Sequence, residues 1–143
     1  MDIILSLHSR VAYVVLFTLV LAVLNAFWGL LGKRTFGSRD LRISLFGLIF
    51  SHIQLLLGLG AYFVSPYFSA WKNGMGAVMK DATLRLFLVE HPITNILAIV
   101  LITMGWSLHK KGASGRKKFF RIAVFYGIGT LLLVSRIPWD QWQ

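Results

Sequence analysis

Cysteine is absent from this chain. The absence excludes a disulfide framework, a thiolate metal site, an iron–sulfur cluster and covalent c-type haem attachment. Acidic residues are scarce, 5 Asp and Glu against 15 Lys and Arg, and no acid or lysine falls deep within the long apolar runs. Ion pumps and ion transporters need such intramembrane charges, so that class is disfavoured. Period-2 alternation is missing, which argues against a transmembrane β-barrel. There is no low-complexity tract and no internal repeat of the kind from which many small-molecule transporters are built. The longest polar connection is roughly 20 residues, too short to hide a soluble domain, so residues 1–143 form a single domain. The segment Met1–Arg10 lacks a basic n-region and a cleavage site; the first helix, not a removable leader, is expected to direct insertion. No nucleophile–base pair and no cofactor fingerprint points to an enzyme class.

What the chain does have is apolar length. It is 57% hydrophobic, against roughly 45–50% for a soluble domain. Four runs, about Val11–Leu31, Ser44–Val64, Leu86–Leu108 and Phe119–Val134, approach the ~20 residues that cross a bilayer. In hydrocarbon each backbone N–H and C=O must pair inside its own segment, so the runs are helices. The fourth is shortest, and Ile137, Pro138 and Trp139 extend it to an interface. Ser65-Pro66 stops the second helix, because proline lacks a donor and restricts the residue before it. Residues 65–82 form the only long connection. Its aromatics suit a membrane interface, and Met75–Arg85 is expected to be a short interfacial helix. The short connections elsewhere predict an all-α membrane fold, a four-transmembrane-helix up-down bundle.

The formal charge of +10 is sorted by connection. Lys33, Arg34, Arg39 and Arg42 lie in or beside the first, with Asp40 as the one acid. Lys110, Lys111, Arg116, Lys117, Lys118 and Arg121 lie in or beside the third, with none. One face therefore carries about +9 and the other about +1, the positive-inside pattern. Connections one and three are expected in the cytoplasm, with both termini outside, in a bacterial cytoplasmic membrane. Anionic lipid explains the basic excess, and nucleic-acid binding is not expected.

Ionisable residues inside a membrane are costly and point to function. His109 stands beside Lys110 and Lys111 and is expected to be solvated. His8 and His91 fall within ~10 Å of one another in depth near the outer ends of helices 1 and 3, whereas His52 lies ~18 Å inside. From His8 the helical face runs through Ala12, Val15, Ala22 and Asn25. From His91 it runs through Asn95, Ala98, Ile102 and Gly105. Both are small and polar, as bundle interiors are. In an up-down bundle these two helices are diagonal, so the imidazoles are candidates for the two axial ligands of a b-type haem. Arg10, Arg85 and Arg136 at the same rim are candidate partners of its propionates, and Glu90 a candidate acceptor for an imidazole N–H. Helix 2 carries a seam of Ser44, Gly47, Ser51, Gln54, Gly58 and Ala61, expected to pack closely. His52 with Gln54 forms a candidate quinone or polar core site.

The stretches Leu7-His8-Ser9, Phe46-Gly47-Leu48-Ile49-Phe50-Ser51-His52-Ile53-Gln54, Glu90-His91-Pro92 and Ser135-Arg136-Ile137-Pro138-Trp139 resemble those of short bacterial four-span membrane proteins labelled cytochrome b-like. The resemblance runs over nearly the whole chain and implies haem b. His52-x-Gln54 followed by glycines is also loosely similar to histidine helices of the haem A synthase fold, which pairs ligands from other helices. The expected function is a small haem-binding, electron-transfer or haem-carrying subunit that works with other integral membrane subunits. The alternative is a cofactor-free accessory subunit of a larger membrane complex.

Overall fold

A computed structural model describes residues 2–141; Met1, at the head of the segment expected not to be a leader, lies outside them. The principal helices are α1 (Asp2–Leu31), α2 (Ser38–Val64), α3 (Met75–Lys80), α4 (Ala82–Lys110) and α5 (Gly115–Ser135), with 3-10 turns at Pro66–Asn73 and Trp139–Gln141. No strand occurs among the described residues. Four of these helices, α1, α2, α4 and α5, are long and apolar enough to cross a membrane. Their 21 to 30 residues correspond to ~32–45 Å at 1.5 Å per residue, at least the ~30 Å of hydrocarbon to be spanned.

The helices outrun the apolar stretches, and polar caps decide where they begin. Asp40 Oδ2 accepts the Gly37 N–H at 2.9 Å, so α2 starts at Ser38, ahead of Ser44. Ser114 Oγ accepts the Lys117 N–H at 3.3 Å, so α5 gains its length upstream, through Arg116 and Lys117, and stops at Ser135. Ile137–Trp139, expected to prolong that helix, instead leave it and enter a 3-10 turn. Asp81 Oδ1 accepts the Leu84 N–H at 2.9 Å and starts α4. It thereby cuts the expected interfacial helix short at Lys80. Side chains that satisfy first-turn donors explain each boundary.

The helices run up, down, up and down around a ring in which α1 packs on α2 and α5, α4 packs on α5, and α2 packs most thinly on α4. Thus α1 and α4 are diagonal. The packed core lies towards the end that carries the two basic turns. It joins Leu19, Ala22 and Ala26 of α1, Ala98 and Ile102 of α4, and Phe119, Ile122 and Tyr126 of α5. Two close approaches hold it. A Cβ on Gly29 would enter the Phe119 ring, and one on Gly129 would lie 2.7 Å from Ile102 Cγ1. Helix α2 meets this core with its small-residue seam, Ser44, Gly47 and Ser51, and the buried Tyr126 hydroxyl donates to the Ser44 carbonyl at 2.8 Å. Without a hydrophobic drive between helices in lipid, such close packing and interhelical hydrogen bonds supply the association.

The basic end also carries a polar lock. Asp40, 3% exposed, accepts from Asn25 Nδ2 at 2.9 Å and from Arg34 Nη2 at 3.2 Å. Arg34 further donates to Asn25 Oδ1 at 3.1 Å and lies over the Phe119 ring. His109 departs from expectation. It is 1% exposed, donates from Nδ1 to the Trp106 carbonyl, and packs between the Phe36 and Trp106 rings. The helix continues to Lys110, so His109 turns inward under the first connection while the lysines take the solvent.

Candidate functional site

At the opposite end, where both termini and the long connection lie, the four long helices do not close. They surround a cavity of about 860 Å³, lined by the first turns of α1, the last turns of α2, the start of α4 and the connection itself. His8 and His91 enter it from the diagonal helices. Their ring centroids are 6.1 Å apart and their planes cross at 86°.

Each histidine is placed by a local device. On α2, Gln54 and Gly58 are one helical turn apart and share the face towards α1. Gln54 Nε2 donates to the His8 carbonyl at 2.9 Å. A Cβ at Gly58 would lie 3.1 Å from His8 Cε1, so glycine there lets α2 approach the imidazole. His91 follows a π-turn, Leu86–Glu90, whose extra residue re-aims what comes next, as at many functional sites. Pro92 has no N–H for the Leu88 carbonyl four residues earlier. The Tyr62 hydroxyl donates to that carbonyl instead, at 3.3 Å, and accepts from Trp71 Nε1 at 3.0 Å. A side-chain relay, Trp71 of the long connection through Tyr62 of α2, thus takes over where proline breaks the backbone ladder.

The protonation pattern of His91 follows from its partners. A carbonyl can only accept, so Nδ1, 2.8 Å from the Arg136 carbonyl, carries the proton. Nε2 then holds a lone pair, and Asn95 Nδ2 donates to it at 3.0 Å. This tautomer is the one that metal-binding imidazoles use, with Nδ1–H anchored on a backbone oxygen. Three buried polar atoms of this group have no hydrogen-bond partner: His8 Nδ1, Gln54 Oε1 and Asn95 Oδ1. All three residues line the cavity. A buried polar atom left unpaired costs about 1–3 kcal/mol, so the wall of this cavity holds polar groups that its own side chains do not satisfy.

The remaining candidates divide. Arg85 Nε pairs with Glu90 Oε1 at 2.9 Å and Arg136 Nε approaches Glu90 Oε2 at 3.7 Å. Glu90 therefore clamps two arginines and does not orient His91; the Arg136 backbone does that. Two cations on one carboxylate leave one net positive charge at this rim. Arg10, two residues past His8, is exposed and does not line the cavity, because two residues turn ~200° around a helix. His52 and Gln54 part for the same reason. Gln54 lines the cavity, whereas His52 is exposed on the outer face of α2. There its Nδ1 donates to the Leu48 carbonyl at 2.8 Å and its Nε2 lies 3.4 Å from Thr103 Oγ1. The structure does not bring them into one site.

Tyr62 and Trp71 were not singled out from the sequence. The signal was Pro92, which implies a stranded carbonyl at Leu88 and hence a donor from elsewhere. No family model, no curated protein and no solved structure matches this chain.

Proposed function

We propose that this chain is a small b-type haem-binding membrane protein, an electron-transfer or haem-carrying subunit that works with other integral membrane subunits. The observation that carries the reading is the His8–His91 pair, 6.1 Å between centroids, on diagonal helices within one cavity. Two imidazoles bound to one iron hold their nitrogens about 4 Å apart and their centroids about 6 Å apart, given metal–nitrogen distances near 2.0 Å. The cavity, about 860 Å³, falls within the range of ~300–1,000 Å³ for cofactor sites. His91 offers its Nε2 lone pair once the Asn95 amide turns aside, and Arg136 holds the ring's other nitrogen. The net positive charge of the Arg85–Glu90–Arg136 cluster favours an anionic group at the rim, which supports a propionate partner in Arg85 or Arg136 but not in Arg10. A haem held there would supply one-electron transfer; the protein's part is to ligate it and shield it from water.

The test is pyridine haemochrome analysis and the reduced spectrum of the full-length protein purified in detergent from haem-replete cells. A sharp α-band, as of six-coordinate b-type haem, is the expected result. A colourless protein would overturn the reading and favour the cofactor-free accessory subunit. A second reading, a quinol site, is favoured by Gln54 Oε1 and Asn95 Oδ1, two unpaired acceptors suited to two phenolic O–H donors. A colourless protein that quenches its tryptophan fluorescence on titration with a short-chain quinol would select it. The charge sorting supports both termini on the outer side of a bacterial cytoplasmic membrane. A C-terminal reporter active only in the cytoplasm would reverse that orientation.

A further inference from the structure

A second pocket, about 520 Å³, lies at the other end of the bundle between the α1–α2 turn and the α4–α5 turn. Its charged lining is Lys33 and Arg34 from the first turn and Arg116 and Lys118 from the second, and no acid lines it. We infer that this pocket is a binding site for a phosphate-bearing anion, the phosphodiester of an anionic lipid headgroup or a soluble phosphate.

Four cations around one cavity repel one another, yet the two turns are held together. A Cβ on Gly115 would lie 3.0 Å from the Phe36 backbone nitrogen, so the second turn rests directly on the first. The cations are steadied by rings more than by acids. Arg34 Cζ lies 5.4 Å from the Phe119 centroid and Lys118 Nζ 5.6 Å from the Phe36 centroid. Arg34 is the most informative. Its Nη2 donates to Asn25 and to Asp40, while its Nε is buried with no partner. An arginine anchored through one Nη keeps the other for a phosphate oxygen, and guanidinium and phosphate are matched in shape. Lys33 adds a second observation at the site. It is the one non-glycine residue with positive φ, 50°, among the described residues, at a helix end where glycine is the ordinary choice. Backbone strain of this kind gathers where function holds it. Asp40 pairs with Arg34 and is otherwise taken up by Asn25 and the Gly37 N–H, so it offsets one of the four cations and leaves Lys33, Arg116 and Lys118 unbalanced. Basic pockets between transmembrane helices at this depth suit phosphate headgroups.

The experiment uses the full-length protein, delipidated in neutral detergent. In one arm, native mass spectrometry measures retention of phosphatidylglycerol against phosphatidylcholine supplied at equal mole fraction. In the other, thermal unfolding is followed in inorganic phosphate against chloride at matched ionic strength. Retention of phosphatidylglycerol that millimolar phosphate does not displace identifies the lipid source; stabilisation by phosphate alone identifies the soluble one. Arg116→Gln and Lys118→Gln should each weaken binding about tenfold, or ~1.4 kcal/mol by the affinity relation. Lys117→Gln and Arg39→Gln remove the same charge from the same end but outside the pocket, and should weaken it less than about twofold, as screened surface charges do. Arg34 is left intact because its loss would strand Asp40. Equal losses in the pocket and control variants would replace the site with diffuse surface attraction. Failure of wild-type protein to prefer either probe would overturn the inference.

Discussion

In the half of the bundle near the basic turns, Leu19, Ile102, Phe119 and Tyr126 are buried to within 1% of completely, and glycines bring the helices into direct contact. In the half near the termini, the same four helices surround a cavity of about 860 Å³ with three unpaired buried polar atoms. One length of helix serves both. The difference lies in which residues face inward. In the closed half, large rings face glycines, Phe119 against Gly29 and Tyr126 beside Gly47. In the open half, small or polar residues face one another, His8 against Gly58 and against His91. A stable half lets the other keep unsatisfied groups, so stability and ligand binding should separate under mutation.

The largest expected effect is on the closed half. Phe119→Ala should lower stability by about 3–5 kcal/mol, the usual loss for an enclosed aromatic. Leu55→Ala, on the cavity wall, should cost about 1 kcal/mol or less, because space already adjoins it. Equal losses in detergent unfolding experiments would abolish the contrast. Next in size is ligand loss. On the proposed haem reading, His91→Ala and His8→Ala should each remove or convert the α-band. Each should cost the apoprotein about 1–2 kcal/mol or less, well short of the Phe119→Ala loss, since each removes two hydrogen bonds or fewer. A His8→Ala, His91→Ala double variant that keeps the band would reject these ligands. His52→Ala should leave the band in place, because His52 lies outside the cavity, bonded to the Leu48 carbonyl and beside Thr103; loss of haem in that variant alone would move the site to α2.

The spans were legible because hydropathy and length are local properties, and the diagonal of helices 1 and 3 followed from short connections. The His8–His91 approach could be read from depth and facing, which need only the rise and turn of a helix. Pairings between side chains from separate connections could not. Glu90 sits beside His91 in sequence, yet it meets Arg85 and Arg136, because adjacent residues on a helix point about 100° apart. His109 departs from its expected exposure for a similar reason. Its neighbours in sequence are lysines, but its neighbours in space are Phe36 and Trp106, which reach it through the fold. The seam on α2 was legible as a whole, and its three- and four-residue steps already exclude His52, one residue out of phase with Ser51.

A smaller effect should come from the join between the long connection and α4. Tyr62→Phe removes the hydroxyl that relays Trp71 Nε1 to the Leu88 carbonyl. The loss should be about 1 kcal/mol, a hydrogen bond with one group left unpaired, with haem affinity weakened but not abolished. Unchanged stability and affinity would mean that Pro92 and the π-turn hold His91 unaided.

The smallest effect should have the opposite sign, and it shows that even the closed half gives up stability in one place. Lys33 holds φ at 50°, where its Cβ is crowded, while the Arg34 N–H closes the helix end on the Gly29 carbonyl at 3.0 Å. Glycine suffers no such crowding and is the common residue at this position. Lys33→Gly should therefore stabilise the protein by about 0.5–1 kcal/mol, less the part returned by the greater freedom of an unfolded glycine. The same change removes one of the four cations of the phosphate pocket, so anion binding should weaken as unfolding becomes harder. Lys33→Asn keeps tolerance of the left-handed backbone and also removes the charge, and should follow the glycine variant in both respects. Lys33→Arg keeps the charge and the strain, and should match the wild type in both. A glycine variant that is less stable than wild type would show that the lysine's side chain holds the turn, and the strain would then have a structural cause, not a ligand.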